Sequence, residues 1–149
     1  HKKAGAEMQQ ECHRIHDDIG GSLPNGQAVV TTAGNLPAQF IIHTVGPRWL
    51  GGSKNEAEEL CNAYLNSLVK ANEVQAKRLS FPNISTGVYN YPKQEAAEIA
   101  IGTVLSSLPS FEYIQHVYFI CYDQENYNIY ASILSNLDDP KIQINICLQ

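Results

Sequence analysis

The sequence predicts an α/β fold in which a largely parallel β-sheet has helices packed on both faces. Short runs rich in β-branched and aromatic residues, such as FIIHTV and HVYFICY, have the composition and length of strands. The segments between them carry apolar residues at three- and four-residue spacing, as helices do. Crossover connections of this kind join parallel strands. Because 149 residues suffice for one substantial core, we expect a single domain over 1–149.

The first half of the chain begins with a helix and continues with two strands. Four apolar residues share one face of the first helix, and the glycine-containing stretch GGSLPNGQ then ends it. AVVTT and AQFIIHTV, separated by AGNLP, have strand composition. The predicted elements are a helix over 4–15, strands over 28–32 and 38–45, and a helix over 54–73.

The second half of the chain continues the alternation of strand and helix. KRLSFP reads as a short buried strand, and HVYFICY is apolar throughout, as in a strand covered on both faces. KIQINICLQ alternates apolar and polar residues, which is typical of an edge strand. The predicted elements are a strand over 77–82, a helix over 93–108, a strand over 116–122, a helix over 124–134 and an edge strand over 141–149.

Composition limits the partners that this sequence predicts. A net charge of -5 and an isoelectric point near 5.4 argue against a general nucleic-acid binder, whose surface normally carries a basic face. The four cysteines lack both zinc-site spacing and an upstream secretory signal, so we expect reduced thiols, no metal and no cofactor. No apolar run approaches the roughly 18 residues of a membrane span. We therefore expect a soluble, cytoplasmic protein.

The loop FPNISTGVYNYP, over 81–92, has the chemistry of an anion cradle. We expect Gly87 to adopt positive φ and so turn successive backbone N–H groups toward one point. Ser85 and Thr86 add hydroxyls, and the following helix adds the partial positive charge of its N-terminus. Tyr89 is placed to lay its ring against a sugar. The alternative is an ordinary β-to-α connection with a glycine turn and a proline at the helix start.

Polar and aromatic residues in or near other strands are further candidates for functional or structural roles. Tyr122 ends an apolar strand, where its ring either stacks on a base or forms part of a half-buried rim. Asp123 and Asn126 fit turn and helix-cap roles. His43 lies inside a strand and is interpreted as a hydrogen-bonded structural histidine, and Trp49 is expected to cover the sheet end.

Four stretches closely resemble, in this order and spacing, the macrodomains that bind ADP-ribose: LPAQFIIHTVGPRW, LCNAYLNSL, LSFPNISTGVYNYPKQEAAEIA and VYFICYDQENYNIY. The likeness is greatest to the branch that removes ADP-ribose from modified proteins and deacetylates O-acetyl-ADP-ribose. It runs over about 1–134. The resemblance implies a three-layer α/β/α sandwich with a mixed, largely parallel central sheet, and ADP-ribose in a cleft at the strand ends.

The resemblance also implies roles for individual residues. The family's diphosphate loop matches 85–89 and wraps the diphosphate and the distal ribose, with the aromatic at Tyr89 against that ribose. The aromatic at Tyr122 stacks on or beside the adenine, with two positions at the rim of that pocket. The implied ligand-binding residues are Ser85, Thr86, Gly87, Val88, Tyr89, Tyr122, Asp123 and Asn126.

The sequence departs from the family pattern at both ends. Family members carry, before the position of His1, a first strand, an Asn-containing strand end and a Gly-rich loop with an Asp. That Asn and Asp orient the substrate and the attacking water in the hydrolytic branch, so the catalytic residues are unknown. Residues 141–149 alternate like the family's first strand, and either replace it or form an extra edge strand.

Three functional hypotheses follow from the resemblance. The first is hydrolysis of ADP-ribose from mono-ADP-ribosylated proteins, or deacetylation of O-acetyl-ADP-ribose. The alternative is a non-catalytic reader of ADP-ribose or a related nucleotide, or a degenerate domain kept for protein contacts. The expected partners are ADP-ribose or O-acetyl-ADP-ribose and mono-ADP-ribosylated proteins.

Overall fold

The elements of the computed structural model, which describes residues 1–137 and 141–146, follow the predicted order. Strand and helix alternate from the third strand onward, because apolar runs bounded by turn residues separate amphipathic segments. The elements are α1 (Ala6–Ile19), β1 (Ala28–Thr32), β2 (Phe40–Thr44), α2 (Glu56–Glu73), β3 (Arg78–Phe81), α3 (Lys93–Ser107), a 3-10 turn (Leu108–Ser110), β4 (His116–Cys121), α4 (Gln124–Leu134) and β5 (Ile142–Ile146).

The described strands form two hydrogen-bonded groups. β1 and β2 pair antiparallel, from Ala28 opposite Thr44 to Thr32 opposite Phe40. β3, β4 and β5 pair parallel in that order, with β4 in the middle. The predicted class, α/β with a mixed and largely parallel arrangement of strands, is confirmed.

Helix α1 continues past its predicted end at Ile15 to Ile19. The apolar periodicity stops at Ile15, but the polar residues that follow continue the helix until Gly20 adopts the left-handed conformation at φ 73°. Helix α2 starts later than predicted, at Glu56, because Asn55 before it is left-handed at φ 62°. Both differences come from backbone conformation at a single residue.

The core lies around β4 and the helices that cover it. Alternate side chains of β4 are fully buried, and Phe119 contacts the rings of Tyr130, Phe81 and Tyr64 at centroid distances of 5.0, 6.1 and 6.5 Å. Burying a side chain of this size contributes about 1.5–3 kcal/mol. This packing fixes the end of β3 and the end of β4 side by side.

β5 confirms the predicted edge strand over the part of 141–149 that the structure describes. It pairs with β4 from Val117 opposite Ile142 to Cys121 opposite Ile146. Residues 147–149 lie outside the described residues. The interpretation of this strand as a replacement for the family's first strand stays a prediction.

Among residues 1–137 and 141–146, every helix is too short or too polar to cross a membrane.

Candidate functional site

The loop between β3 and α3 is folded around two left-handed residues, Ser85 at φ 66° and Asn90 at φ 55°. The N–H of Tyr91 donates to the Ser85 carbonyl at 2.9 Å, and the N–H of Asn90 donates to the Gly87 carbonyl at 2.9 Å. The prediction that Gly87 supplies the positive φ was wrong. These two hydrogen bonds close the loop at its ends, so the reversals fall at Ser85 and Asn90 and not at its tip.

The tip of this loop presents a run of free backbone donors. The N–H groups of residues 85–89 donate to no acceptor among residues 1–137 and 141–146. The N–H groups of the first turn of α3 lie just beyond, and Pro92 at the helix N-cap offers them no side-chain acceptor within the described chain. Successive unpaired N–H groups beside a helix N-terminus form a site for an anion.

Gly87 lies at the exposed part of the loop, where the protein itself does not require a glycine. Its φ is not left-handed, and a Cβ placed there would meet no described atom within 4 Å. A glycine in such a position allows a ligand to approach the backbone closely. Val88, next to it, is 86% exposed, so the tip is open to solvent.

The segment after β2, residues 46–49, packs against the loop between β3 and α3. A Cβ at Gly46 would lie 2.2 Å from Ser85 Oγ and 2.4 Å from Ile84 Cγ2, so only glycine fits there. The N–H of Trp49 donates to the Tyr89 carbonyl at 2.9 Å. The Trp49 ring is partly buried, 4.7 Å from the Tyr91 ring, which fits the prediction that it covers the sheet end.

Glu56 holds this supporting segment in place, and the sequence did not single it out. Its carboxylate is 1% exposed and accepts the N–H groups of Leu50 and Gly52 at 3.0 Å and of Lys54 at 2.6 Å. Burial acts to raise the pKa of Glu56, but these backbone donors together hold it below its ordinary value. A buried anion satisfied in this way fixes the turn that carries Trp49.

Asn83 connects the loop to the end of β4. Its side-chain Oδ1 accepts the N–H of Tyr122 at 2.9 Å, while its carbonyl accepts the Thr86 hydroxyl at 3.2 Å. One residue therefore positions both the candidate anion loop and the aromatic predicted to stack on a base. No local sequence motif indicates this role, because the hydrogen bond to Tyr122 joins residues far apart in the chain.

Tyr122 lies at the exit of β4, as predicted, and its side chain is 66% exposed. Asp123 is the N-cap of α4, where its carboxylate accepts the N–H of Asn126 at 2.8 Å. This hydrogen bond, with the neighbouring Lys93, lowers the pKa of Asp123. Asn126 is buried at 3% exposure. The cap role predicted for Asp123 is confirmed, whereas Asn126 lies inside α4 and donates to that cap. Ligand contact by either residue stays a prediction.

Lys93, at the start of α3, is engaged by two acids at the start of α4, Asp123 and Glu125. Its ammonium donates to Glu125 and lies 3.6 Å from Asp123. The Glu125 hydrogen bond raises the pKa of Lys93. These ion pairs hold the starts of α3 and α4 together.

The ring of His43 is hydrogen-bonded within the paired strands, as predicted. Its Nε2 lies 2.8 Å from the hydroxyl of Thr31 on the paired strand, and burial lowers its pKa. His1 and Cys12 approach it, with the three possible ligand atoms within 4.8 Å of one another. Cys12, Cys61 and Cys121 are free thiols, and Cys147 lies outside the described residues.

The chain is an α/β protein with a candidate anion-binding loop after a parallel strand and an exposed aromatic at the end of the adjacent strand. The Macro domain family model matches residues 1–100, and the chain belongs to this family. It is 61% identical, over 98% of its length and 79% of the relative's, to a macro domain-containing protein of an Acinetobacter species. It is 45% identical to an O-acetyl-ADP-ribose deacetylase of Escherichia fergusonii, over 93% of this chain and 78% of the relative.

Solved macrodomain structures have the same fold. A mutant of the Oceanobacillus iheyensis macrodomain, solved with ADPR, superposes with a TM-score of 0.84 at 37% identity. The match covers 92% of this chain and 74% of that one. The predicted family and the macrodomain-like α/β fold are thereby confirmed.

Proposed function

We propose that this chain binds ADP-ribose, with the diphosphate held by the backbone N–H groups of residues 85–89. The observation that carries the proposal is the run of five successive donors without acceptors among the described residues, in the loop that leads to the N-terminus of α3. Charge-assisted hydrogen bonds to phosphate are roughly twice as strong as neutral ones. The Oceanobacillus macrodomain solved with ADPR supports this choice of ligand.

Two exposed aromatic residues, Tyr89 and Tyr122, orient ADP-ribose in the proposed complex. Tyr89, 40% exposed and the last residue of the donor run, lies with its ring against the distal ribose in the proposed complex. Tyr122, tied through Asn83 to the same loop, stacks on the adenine. Asp123 and Asn126 contribute at the rim of the adenine pocket by holding the first turn of α4 beside Tyr122.

The net charge of the chain indicates which interactions determine the affinity for ADP-ribose. The net charge of -5 gives no long-range attraction for a diphosphate, so affinity depends on donors at contact distance. We therefore expect ADP-ribose affinity to change little with added salt, in contrast to a site built from a basic patch.

The proposal is tested by isothermal titration of ADP-ribose into the wild-type chain and two glycine variants. Gly87→Glu adds a carboxylate beside the donors, and we expect it to abolish binding without unfolding the protein. Gly102→Glu is the matched control, because Gly102 is an exposed glycine of α3 that also has no described atom within 4 Å of an added Cβ. Equal binding by both variants, or no binding by folded wild-type protein, would contradict the proposal.

A second candidate function is hydrolysis at the distal ribose of the bound ligand. It is favoured by the 45% identity to the Escherichia protein named O-acetyl-ADP-ribose deacetylase. In this reaction water attacks the acetyl ester or the distal ribose carbon, and positioning by the diphosphate cradle lowers the barrier. Acetate release from O-acetyl-ADP-ribose by the wild-type chain, absent in Gly87→Glu, identifies an enzyme, while binding without release identifies a reader.

The further partners proposed here are mono-ADP-ribosylated proteins, since an exposed loop tip admits a ligand that is attached to a larger molecule. A cytoplasmic location is supported by the three free thiols of the described residues. The acidic net charge supports the absence of a nucleic-acid partner.

A further inference from the structure

A group of metal-ligating side chains lies between α1 and β2, and the proposed ADP-ribose site uses none of them. His1, Cys12 and His43 each offer one ligand atom, and these three atoms lie within 4.8 Å of one another. The rings of His1 and His43 meet edge to face at a centroid distance of 5.5 Å. Thiolate sulfur and imidazole nitrogen are ligands of copper and zinc, whereas magnesium and calcium take oxygen.

The distances between these side chains fit a single ion. Metal bonds of about 2.3 Å to sulfur and about 2.0–2.1 Å to imidazole nitrogen together span up to about 4.4 Å. Cys12 Sγ lies 3.9 Å from His43 Nε2, which is within the reach of one ion. His1 is exposed, so its ring can turn toward the ion without displacing packed residues.

A second sulfur indicates which metal this group favours. Met8 precedes Cys12 by four residues on α1, and the Cys12 thiol donates to Met8 Sδ at 3.4 Å. Met8 is fully buried, so its thioether is held beside Cys12. Thiolate and thioether are soft ligands that select Cu(I), and two histidines, a cysteine and a weak methionine ligand are a donor set for copper. We call these four residues the His-Cys-Met cluster.

The residues around the His-Cys-Met cluster are compatible with a bound cation. His43 Nε2 lies 2.8 Å from the Thr31 hydroxyl, which also donates to the Thr32 carbonyl at 2.9 Å. When a metal takes this nitrogen, Thr31 therefore keeps an acceptor. Glu11 accepts the N–H and the hydroxyl of Thr32 at 2.9 and 2.7 Å, and its fixed negative charge acts on His43. A nearby carboxylate favours a cation at this position.

A cavity gives a metal ion access to the His-Cys-Met cluster. It has a volume of about 280 Å³ and is lined by His1, Cys12 and His43. An apolar shell limits the access of water to a bound metal. The cavity has such a shell in its aliphatic lining residues, which are Ile15, Ile19, Leu23, Val29 and Val45.

We propose that the His-Cys-Met cluster binds one Cu(I) ion through Cys12 Sγ and the imidazoles of His1 and His43, with Met8 as a weak further ligand. The thiol proton of Cys12 passes to solvent as the copper–sulfur bond forms, and copper keeps its oxidation state. The sequence expectation of no metal rested on spacing along the chain, whereas Cys12 and His43 are 31 positions apart and meet only in the fold. The proposal does not depend on ADP-ribose binding.

The test titrates Cu(I) into the reduced chain in competition with a chelator whose Cu(I) complex is coloured. One residue is added before His1, so that no terminal amine lies beside the ligand ring. We expect one ion per chain, with sulfur and imidazole neighbours at about 2.0–2.3 Å in X-ray absorption. Loss of a residue that only supports a metal ligand costs about 10–100-fold in affinity, so Cys12→Ser and His1→Gln should each weaken Cu(I) binding at least about tenfold.

Two variants serve as matched controls for the ligands. Cys61 is a free thiol outside the cluster and His13 is an exposed histidine of α1, so Cys61→Ser and His13→Gln should bind Cu(I) as the wild type does. Because His1 is exposed, His1→Gln tests the site even if Cys12→Ser does not fold. The proposal is overturned if the folded wild-type chain takes up no Cu(I), if His1→Gln or folded Cys12→Ser binds it with wild-type affinity, or if Cys61→Ser loses it. A chain that binds Zn²⁺ and not Cu(I) would also overturn it.

Discussion

β4 and β2 are both short apolar strands, yet they have different surroundings. β4 has a hydrogen-bonded neighbour on each side and buries alternate residues completely, including Phe119 at 0% exposure. β2 has a neighbour on one side among the described strands and buries none of its five residues fully, with Phe40 at 42% exposure. Burial of a strand is set by its neighbours, and the candidate site lies where the complete and the open parts of the sheet meet.

Because β4 and β2 differ in their surroundings, the two sides of the candidate site differ in how firmly they are held. The loop after β3 and the aromatic after β4 are held by hydrogen bonds through Asn83 and by the packed core beneath. The side toward β2 is supported by Gly46 and Trp49 but borders a cavity of about 630 Å³ between β2 and β3. One half of the proposed ADP-ribose site is thus preorganised, and the other half adjoins a cavity.

The largest contrast should appear when one phenylalanine is truncated in each strand. Phe119→Ala removes a fully buried ring and should lower the free energy of unfolding by about 3–5 kcal/mol. Phe40→Ala removes a ring that is already partly in water, and we expect a loss of about 1 kcal/mol. Urea unfolding followed by circular dichroism gives both values. Equal losses of unfolding free energy in the two variants would show that β2 is as well covered in solution as β4, and would contradict the comparison.

The acid sensitivity of the supporting segment should depend on Glu56. Because its pKa is lowered in the folded protein, its contribution to stability is present above its ordinary pKa of 4.5 and is lost as the pH falls through the lower folded value. Glu56→Gln should therefore destabilise the protein near neutral pH and flatten the loss of stability on acidification. Urea midpoints at about pH 7 and about pH 3.5 measure this. An unchanged acid limb in the variant would assign the sensitivity to other carboxylates.

Much of the fold was predictable, because its elements depend on local patterns. The residues of β1 and α4 coincide with the predicted ranges 28–32 and 124–134. The open pairing of β2 and β3 was not predictable, since a strand's neighbours are a tertiary property. The φ of Gly87 was predicted wrongly, because the hydrogen bond from Tyr91 to Ser85 moves the reversal to the ends of the loop.

The site itself was only partly predictable from sequence. The loop at 85–89 and the ring of Tyr122 have local signals, a glycine among hydroxyl residues and an aromatic at a strand end. Asn83 acts through a residue 39 positions away, and Glu56 through backbone groups of a turn, so neither has a motif. Contacts of that kind follow from the folded chain.

A moderate effect on stability and affinity should follow from removing the hydrogen bond that connects Asn83, in the loop after β3, to Tyr122 at the end of β4. Asn83→Ala leaves the Tyr122 N–H without its acceptor, and we expect stability to fall by about 1–2 kcal/mol and ADP-ribose affinity by about tenfold. Asn128→Ala is the control, because Asn128 is exposed and its side chain accepts only from Gln124 among the described residues. Unfolding curves and titration calorimetry measure the two effects. Affinity unchanged in Asn83→Ala would mean that the loops act independently.

The smallest effect on stability should come from Tyr122. Because its side chain is 66% exposed, Tyr122→Ala should change the free energy of unfolding by less than about 0.5 kcal/mol. Loss of stacking should still reduce ADP-ribose affinity about fivefold, and Tyr122→Phe should retain it. Ribose 5-phosphate, which has no base, should bind both variants equally. A Tyr122→Ala variant with wild-type affinity for ADP-ribose would remove this residue from the site.

The central claim is that the free N–H groups of residues 85–89 bind the diphosphate, and amide NMR of the isotope-labelled chain titrated with ADP-ribose tests it most directly. We expect saturable shifts of the amide resonances of 85–89 and 122–126, while those of β1 stay unchanged. A folded chain whose 85–89 amides do not move at saturating ADP-ribose would contradict the claim, whichever other resonances shift.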